Sequence, residues 1–109
     1  MTYAAALSVV RRYLNERLPE PMNPRAKSEF QERTYSRWAA NEIMERIMEE
    51  ELKLPYHISG LEQRVPIEVV KEFIDDLYSA WETTKNKQRK FMFSCAMYTA
   101  EDILCKLYY

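Results

Sequence analysis

The sequence predicts an all-α protein: a compact bundle of four main helices in which the C-terminal helix is the most buried. Glycine occurs once in 109 residues, whereas sheets and hairpins usually place glycines in their turns. Hydrophobic residues make up 47% of the chain, which is enough to form a core. The apolar residues recur at helical spacing between the prolines, and the length suits a single α-helical domain over residues 1–109.

The first helix is predicted to begin after Thr2, which can serve as its N-cap, and to run to about Leu18. Three prolines within residues 19–24 then prevent the helix from continuing. The predicted apolar stripe consists of Leu7, Val10, Leu14 and Leu18, with Tyr3 and Ala6 alongside.

The second helix is predicted to run from Pro24 to Lys53, with Asn23 as its N-cap. Arg33 and Arg37 fall within its apolar arc, and we expect them to reach solvent or pair with carboxylates. The connection over residues 54–66 is predicted to include a turn of helix at residues 61–64. The apolar arc consists of Ala26, Phe30, Ala40, Ile43, Met44, Ile47 and Met48.

The third helix is predicted to begin at Pro66 and shows the clearest amphipathic pattern in the chain. A short polar turn at residues 83–90 leads into the final helix, which makes the last two helices antiparallel neighbours. The apolar face of the third helix consists of Ile67, Val70, Phe73, Ile74, Leu77, Tyr78 and Trp81.

The final helix, residues 91–109, is apolar nearly all round, which is typical of a helix buried on more than one side. Its apolar residues form a broad arc and a narrower one. The narrower arc is predicted to meet either another helix or a second copy of the protein, and the second case would give a homodimer through this helix. The broad arc holds Met92, Phe93, Ala96, Met97, Ala100, Ile103, Leu104 and Leu107. The narrower arc holds Phe91, Cys95, Tyr98, Cys105 and Tyr109.

The two cysteines are expected to be buried thiols. Cys95 and Cys105 are ten residues apart on one helix, roughly 15 Å at 1.5 Å per residue, which is too far for a disulfide. The amino terminus lacks the pattern of a secretory signal, and no stretch is long and apolar enough to span a membrane. We therefore expect a cytoplasmic protein without a membrane partner.

Charge is distributed unevenly, with a net charge of +3 over residues 1–41, −7 over residues 42–82 and +3 over residues 83–109. Within the acidic part, Glu42, Glu45 and Glu49 share one sector of the second helix with Trp38. A tryptophan among carboxylates is typical of an interface anchor with a charged rim. The alternative is that Trp38 packs beneath the first helix or the proline-rich connection.

The favoured interpretation is a small, non-catalytic interaction protein whose acidic helical surface engages a basic surface on a protein partner. A concentrated negative face can compete for a groove that normally holds nucleic acid. In size and charge layout the chain resembles the small inhibitors that phages and mobile elements carry against host nucleases, such as anti-CRISPR proteins. This interpretation requires no cofactor and no metal.

A catalytic alternative rests on two carboxylate pairs. Glu42 and Glu45 are followed, after 26 intervening residues, by Glu72 and Asp75. This spacing resembles that of the all-α nucleotide pyrophosphohydrolases of the MazG type. The resemblance implies that the four carboxylates hold Mg²⁺ against a triphosphate, because residues three apart share one side of a helix.

A third hypothesis is a nucleic-acid-binding regulator. Four basic residues within six, Lys85, Lys87, Arg89 and Lys90, can contact a phosphate backbone. A polar turn between helices is the commoner explanation of such a cluster. The chain has a single histidine, His57, and the sequence therefore lacks the paired Glu-x-x-His motifs of a di-iron bundle.

Overall fold

The computed structural model describes residues 1–19, 27–52 and 65–108, except for the side chains of residues 27 and 28. These ranges contain four helices and no strand: α1 (Tyr3–Arg17), α2 (Lys27–Leu52), α3 (Pro66–Thr83) and α4 (Lys87–Tyr108). The predicted all-α bundle is confirmed. The predicted start of the second helix, the helical turn at residues 61–64 and Tyr109 lie outside the described residues.

Capping residues decide where the helices begin. The Thr2 side chain accepts a hydrogen bond from the Ala5 backbone N–H at 3.1 Å, as the sequence predicts for an N-cap. Pro66 is the first residue of α3. The Asn86 side chain accepts hydrogen bonds from the backbone N–H groups of Gln88 (2.9 Å) and Arg89 (3.1 Å). Because Asn86 caps it, α4 begins four residues before the predicted Phe91.

The core lies where α4 meets the other three helices. As predicted, α4 packs against α1, α2 and α3, and α2 likewise contacts all three of its neighbours. The four helices share one hydrophobic core. Its fully buried aliphatic and aromatic members include Val10, Ile43, Ile47, Val70, Phe73 and Ile103.

The individual faces agree with prediction except at a few positions. Tyr13 and Val69 are buried although neither was assigned to an apolar face. Three residues assigned to apolar faces are exposed: Tyr78 on the third helix (52%), and Phe30 (40%) and Met48 (39%) on the second. Cys105 is exposed and Cys95 half-buried, so the prediction of two buried thiols is wrong for Cys105. Both cysteines are free, as their separation along the helix requires.

Two arginines of α2 join it to the end of α1. Arg33 donates a hydrogen bond to the backbone carbonyl of Pro19 at 3.1 Å, and Arg37 donates one to the carbonyl of Leu18. The end of a helix has carbonyls without helical partners and a partial negative charge, which favours cations there. These acceptors are backbone carbonyls rather than the predicted carboxylates.

Candidate functional site

The residues predicted for binding form part of a larger acidic surface on two helices. Trp38, Glu42, Glu45 and Glu49 follow one another at intervals of four, three and four along α2, which places them on one side of that helix. Glu72 and Asp76, four residues apart, form the adjoining edge of α3. We call these six residues the acidic surface.

Arg46 ties the two halves of the acidic surface together. Its guanidinium contacts the Glu42 carboxylate at 3.5 Å, on the same helix, and the Asp76 carboxylate of α3 at 3.1 Å. The same group lies over the Phe73 ring, 4.7 Å from the ring centroid. One cation therefore links carboxylates from both helices while its underside packs on an aromatic ring of the core.

A surface cavity of about 190 Å³ opens between α2 and α3 beside Arg46. Four carboxylates contribute to its walls against one guanidinium, so the walls carry a net negative charge at neutral pH. Glu50, one of the four, is only 3% exposed. The cavity is lined by Glu42, Arg46, Glu49, Glu50, Val69 and Glu72.

Trp38 lies at the edge of the acidic surface. Its ring centroid is 6.0 Å from that of Phe73 on α3, with the planes tilted by 58°. The side chain remains 41% exposed. Part of the indole therefore packs against the core while part faces solvent, which suits an aromatic anchor of an interface.

The four carboxylates of the catalytic alternative do not come together. Glu42 and Glu72 line the same cavity, but Glu45 and Asp75 are exposed and line no part of it. Among the described residues, no three Asp, Glu, His or Cys side chains are placed to hold a metal ion. The cause is local, because Glu45 and Asp75 lie further round their helices and Arg46 occupies the space between Glu42 and Asp76.

The basic residues of the third hypothesis surround the turn at Thr84–Asn86. Lys85, Lys87 and Arg89 are exposed, whereas the Lys90 ammonium lies over the Trp81 ring, 4.8 Å from its centroid. The first turn of α4 contains no acidic residue. Three of the four basic groups are thus available to an anion, and the fourth is held by a cation–π contact.

The outer face of α4 carries the second exposed apolar feature. Tyr98 is 78% exposed and Phe91 38% exposed, although Phe91 also makes an edge-to-face contact with Tyr35 of α2, at 5.9 Å between centroids. At the border with α1, the Tyr13 hydroxyl donates a hydrogen bond to the Asp102 carboxylate at 2.7 Å. Burial and this carboxylate raise the pKa of Tyr13 above its ordinary value, and burial likewise raises the pKa of Cys95.

Sequence reasoning missed Arg46, Asp76 and Glu50. The signal for Arg46 was present, since it follows Glu42 by four residues, but its partner on α3 depends on how the helices pack. No protein-family model, curated protein or solved structure matches the chain. None of the helices in the described ranges has the length and apolar character needed to cross a membrane.

Proposed function

We propose that the protein is a small, non-catalytic interaction protein of the cytoplasm whose acidic surface engages a basic surface of a protein partner. The observation that carries the proposal is the position of Trp38, held by Phe73 on one side and 41% exposed at the edge of the carboxylate-rich surface. A preoriented aromatic ring with a charged rim is the common arrangement of an energetically dominant interface residue.

The charge of this surface selects the chemistry of the partner. Five acidic residues lie around Arg46 between α2 and α3, namely Glu42, Glu49, Glu50, Glu72 and Asp76, and Glu45 extends the surface along α2. Such an excess favours a partner rich in lysine and arginine and accelerates its approach. A groove that normally holds nucleic acid presents such a surface. Occupying it would make the protein an inhibitor of the kind that phages and mobile elements carry.

The two kinds of residue should contribute differently to binding. Exposed rim charges chiefly accelerate encounter, whereas a desolvated aromatic side chain slows dissociation. We therefore expect the double change Glu45→Gln and Glu49→Gln to lower the association rate, with a loss that shrinks at high salt. Trp38→Ala should instead raise the dissociation rate, at a cost of about 2 kcal/mol or more and with little salt dependence.

The test captures the partner from a lysate of the source organism and then measures its kinetics by surface plasmon resonance. Matched controls are the double change Glu16→Gln and Glu29→Gln, which removes the same charge elsewhere, and Tyr78→Ala, which truncates another half-exposed aromatic residue. If the partner binds the Trp38→Ala and Glu45/Glu49 variants as it binds the controls, the acidic surface is not the binding surface.

A further inference from the structure

The outer face of α4 exposes large apolar side chains that the core does not require. Tyr98 is 78% exposed and Phe91 38% exposed, with the exposed Ser94 between them. Tyr98 is the most exposed of the large apolar side chains in the described part of the chain. Isolated exposed apolar residues are common, but two aromatic residues on one stripe of a helix form a patch.

These residues belong to a longer stripe whose members alternate at intervals of four and three. That spacing is the seam of a coiled coil, in which a second helix packs along the stripe. The stripe has an aromatic residue on each side of its centre, a basic residue towards the N-terminal end and an acidic one towards the C-terminal end. Its members are Lys87, Phe91, Ser94, Tyr98, Glu101 and Cys105.

We propose that a second copy of the protein packs antiparallel on this stripe, with the twofold axis near Ser94 and Cys95. In this register Phe91 of each copy lies against Tyr98 of the partner subunit, so the aromatic contact forms twice. The small Ser94 at the centre lets the two backbones approach closely. An isologous interface requires such a self-complementary surface.

Charge decides between the antiparallel and the parallel pair. The antiparallel register brings Lys87 close to Glu101 of the partner subunit, and the same contact forms a second time across the axis. A parallel pair would place lysine against lysine and glutamate against glutamate, which is unfavourable. Both side chains are exposed to solvent.

This association is independent of the proposed function. No residue of the acidic surface belongs to the stripe on α4, so each copy would keep its surface for a partner. A dimer would present two acidic surfaces at once, which raises the apparent affinity for a partner that itself offers two basic sites.

The experiment is sedimentation equilibrium of the whole chain over a range of concentrations up to about 1 mM, where even weak complexes form. We expect a concentration-dependent dimer that Tyr98→Glu abolishes. Tyr78→Glu, on α3, is the matched control and should leave the dimer intact. Circular dichroism checks that each variant keeps its helical content, which we expect because neither tyrosine belongs to the buried core.

Charge exchange tests the orientation. Lys87→Glu and Glu101→Lys should each raise the dissociation constant about tenfold, because each change replaces attraction by repulsion at two symmetric sites. The double variant should regain the affinity of the original chain, since a glutamate then faces a lysine again. In a parallel pair the double variant would still place like charges together and would not recover.

Each other result overturns the proposal. A chain that remains monomeric at every concentration has no such interface. A dimer that persists in the Tyr98→Glu variant associates through another surface. A dimer that both single charge changes weaken, but that the double variant does not restore, is not the antiparallel pair.

Discussion

α2 and α4 occupy equivalent places in the bundle and yet present different outer surfaces. Each helix packs against the three others, and the inner face of each carries alanines and isoleucines with no solvent exposure. The outer side of α2 carries carboxylates around Arg46, whereas the outer face of α4 carries Phe91 and Tyr98. The alanines and isoleucines with no exposure are Ala39, Ala40, Ile43 and Ile47 on α2, and Ala96, Ala100 and Ile103 on α4.

This difference indicates that packing in the core constrains the residue types on the inner faces of the two helices and not those on their outer faces. Small and branched residues on the inner faces let α2 and α4 approach each other and their neighbours, and both helices use these residue types. The outer faces are free to differ, and each is tied to a neighbouring helix by a different interaction. Arg46 of α2 forms an ion pair with Asp76 of α3. Asp102 of α4 instead accepts a hydrogen bond from the Tyr13 hydroxyl of α1.

The largest expected effect tests the equivalence of the inner faces. Ile43→Ala and Ile103→Ala should each lower the free energy of unfolding by about 2–5 kcal/mol, because each removes a fully buried aliphatic side chain and leaves a cavity. Urea denaturation monitored by circular dichroism measures both. Leu104→Ala, at a half-buried neighbouring position, should cost less. A small loss for one isoleucine alone would show that its helix is not central.

The sequence predicts the inner faces well because burial imposes a helical period on them. The broad apolar arc of the C-terminal helix is buried or half-buried throughout, and the order of the four helices is confirmed. The errors lie at the ends and edges of helices. Because Asn86 caps it, α4 begins earlier than the apolar pattern predicts. Tyr78 is exposed although it continues the apolar spacing of α3.

The outer surfaces are harder to predict because they depend on contacts between helices. The stripe containing Trp38, Glu42, Glu45 and Glu49 can be read from spacing alone. The pairing of Arg46 with Asp76 cannot, since the two residues are thirty positions apart. Nor does the pattern indicate that Trp38 contacts Phe73 of α3, because helical spacing does not specify which neighbour a side chain meets.

The next effect concerns the edge of α4 and should depend on pH. Tyr13→Phe removes the hydrogen bond to Asp102 and should lower the free energy of unfolding by about 1.5 kcal/mol, the lower end for a bond to a charged group. The pKa of Tyr13 is raised in the folded protein, chiefly by burial and then by Asp102. Its contribution is therefore fully present below the unfolded pKa of about 10 and is lost as pH rises above it.

Urea titrations of the original chain and the Tyr13→Phe variant, at intervals from pH 7 to pH 11, measure this dependence. The difference between the two chains should be constant up to about pH 9 and shrink above pH 10, since only the original chain loses the contribution. Tyr78→Phe, at an exposed tyrosine of α3, is the matched control and should show no such change. A difference that persists unchanged at pH 11 would mean that the raised pKa is wrong.

The smallest effect concerns α2 and should depend on salt rather than on pH. Arg46→Met puts an apolar side chain in place of the guanidinium that lies over Phe73 and removes the charge that faces Glu42 and Asp76. Because these partners are partly exposed, we expect a loss of about 1 kcal/mol or less in the free energy of unfolding. Most of it would come from repulsion among the remaining carboxylates, so the loss should shrink as sodium chloride is raised from about 0.01 M to 1 M.

Arg12→Met, at an exposed arginine of α1, controls for the loss of one positive charge from the whole molecule. The two outer-face variants then serve as controls for each other. The Arg46→Met deficit should respond to salt and not to pH above 10, whereas the Tyr13→Phe deficit should respond to pH and hardly to salt. If the Arg46→Met deficit stayed constant across the salt range, it would come from the lost contact between the guanidinium and the Phe73 ring and not from the two lost ion pairs. The link that Arg46 makes between the carboxylates of α2 and α3 would then add nothing measurable to the free energy of unfolding.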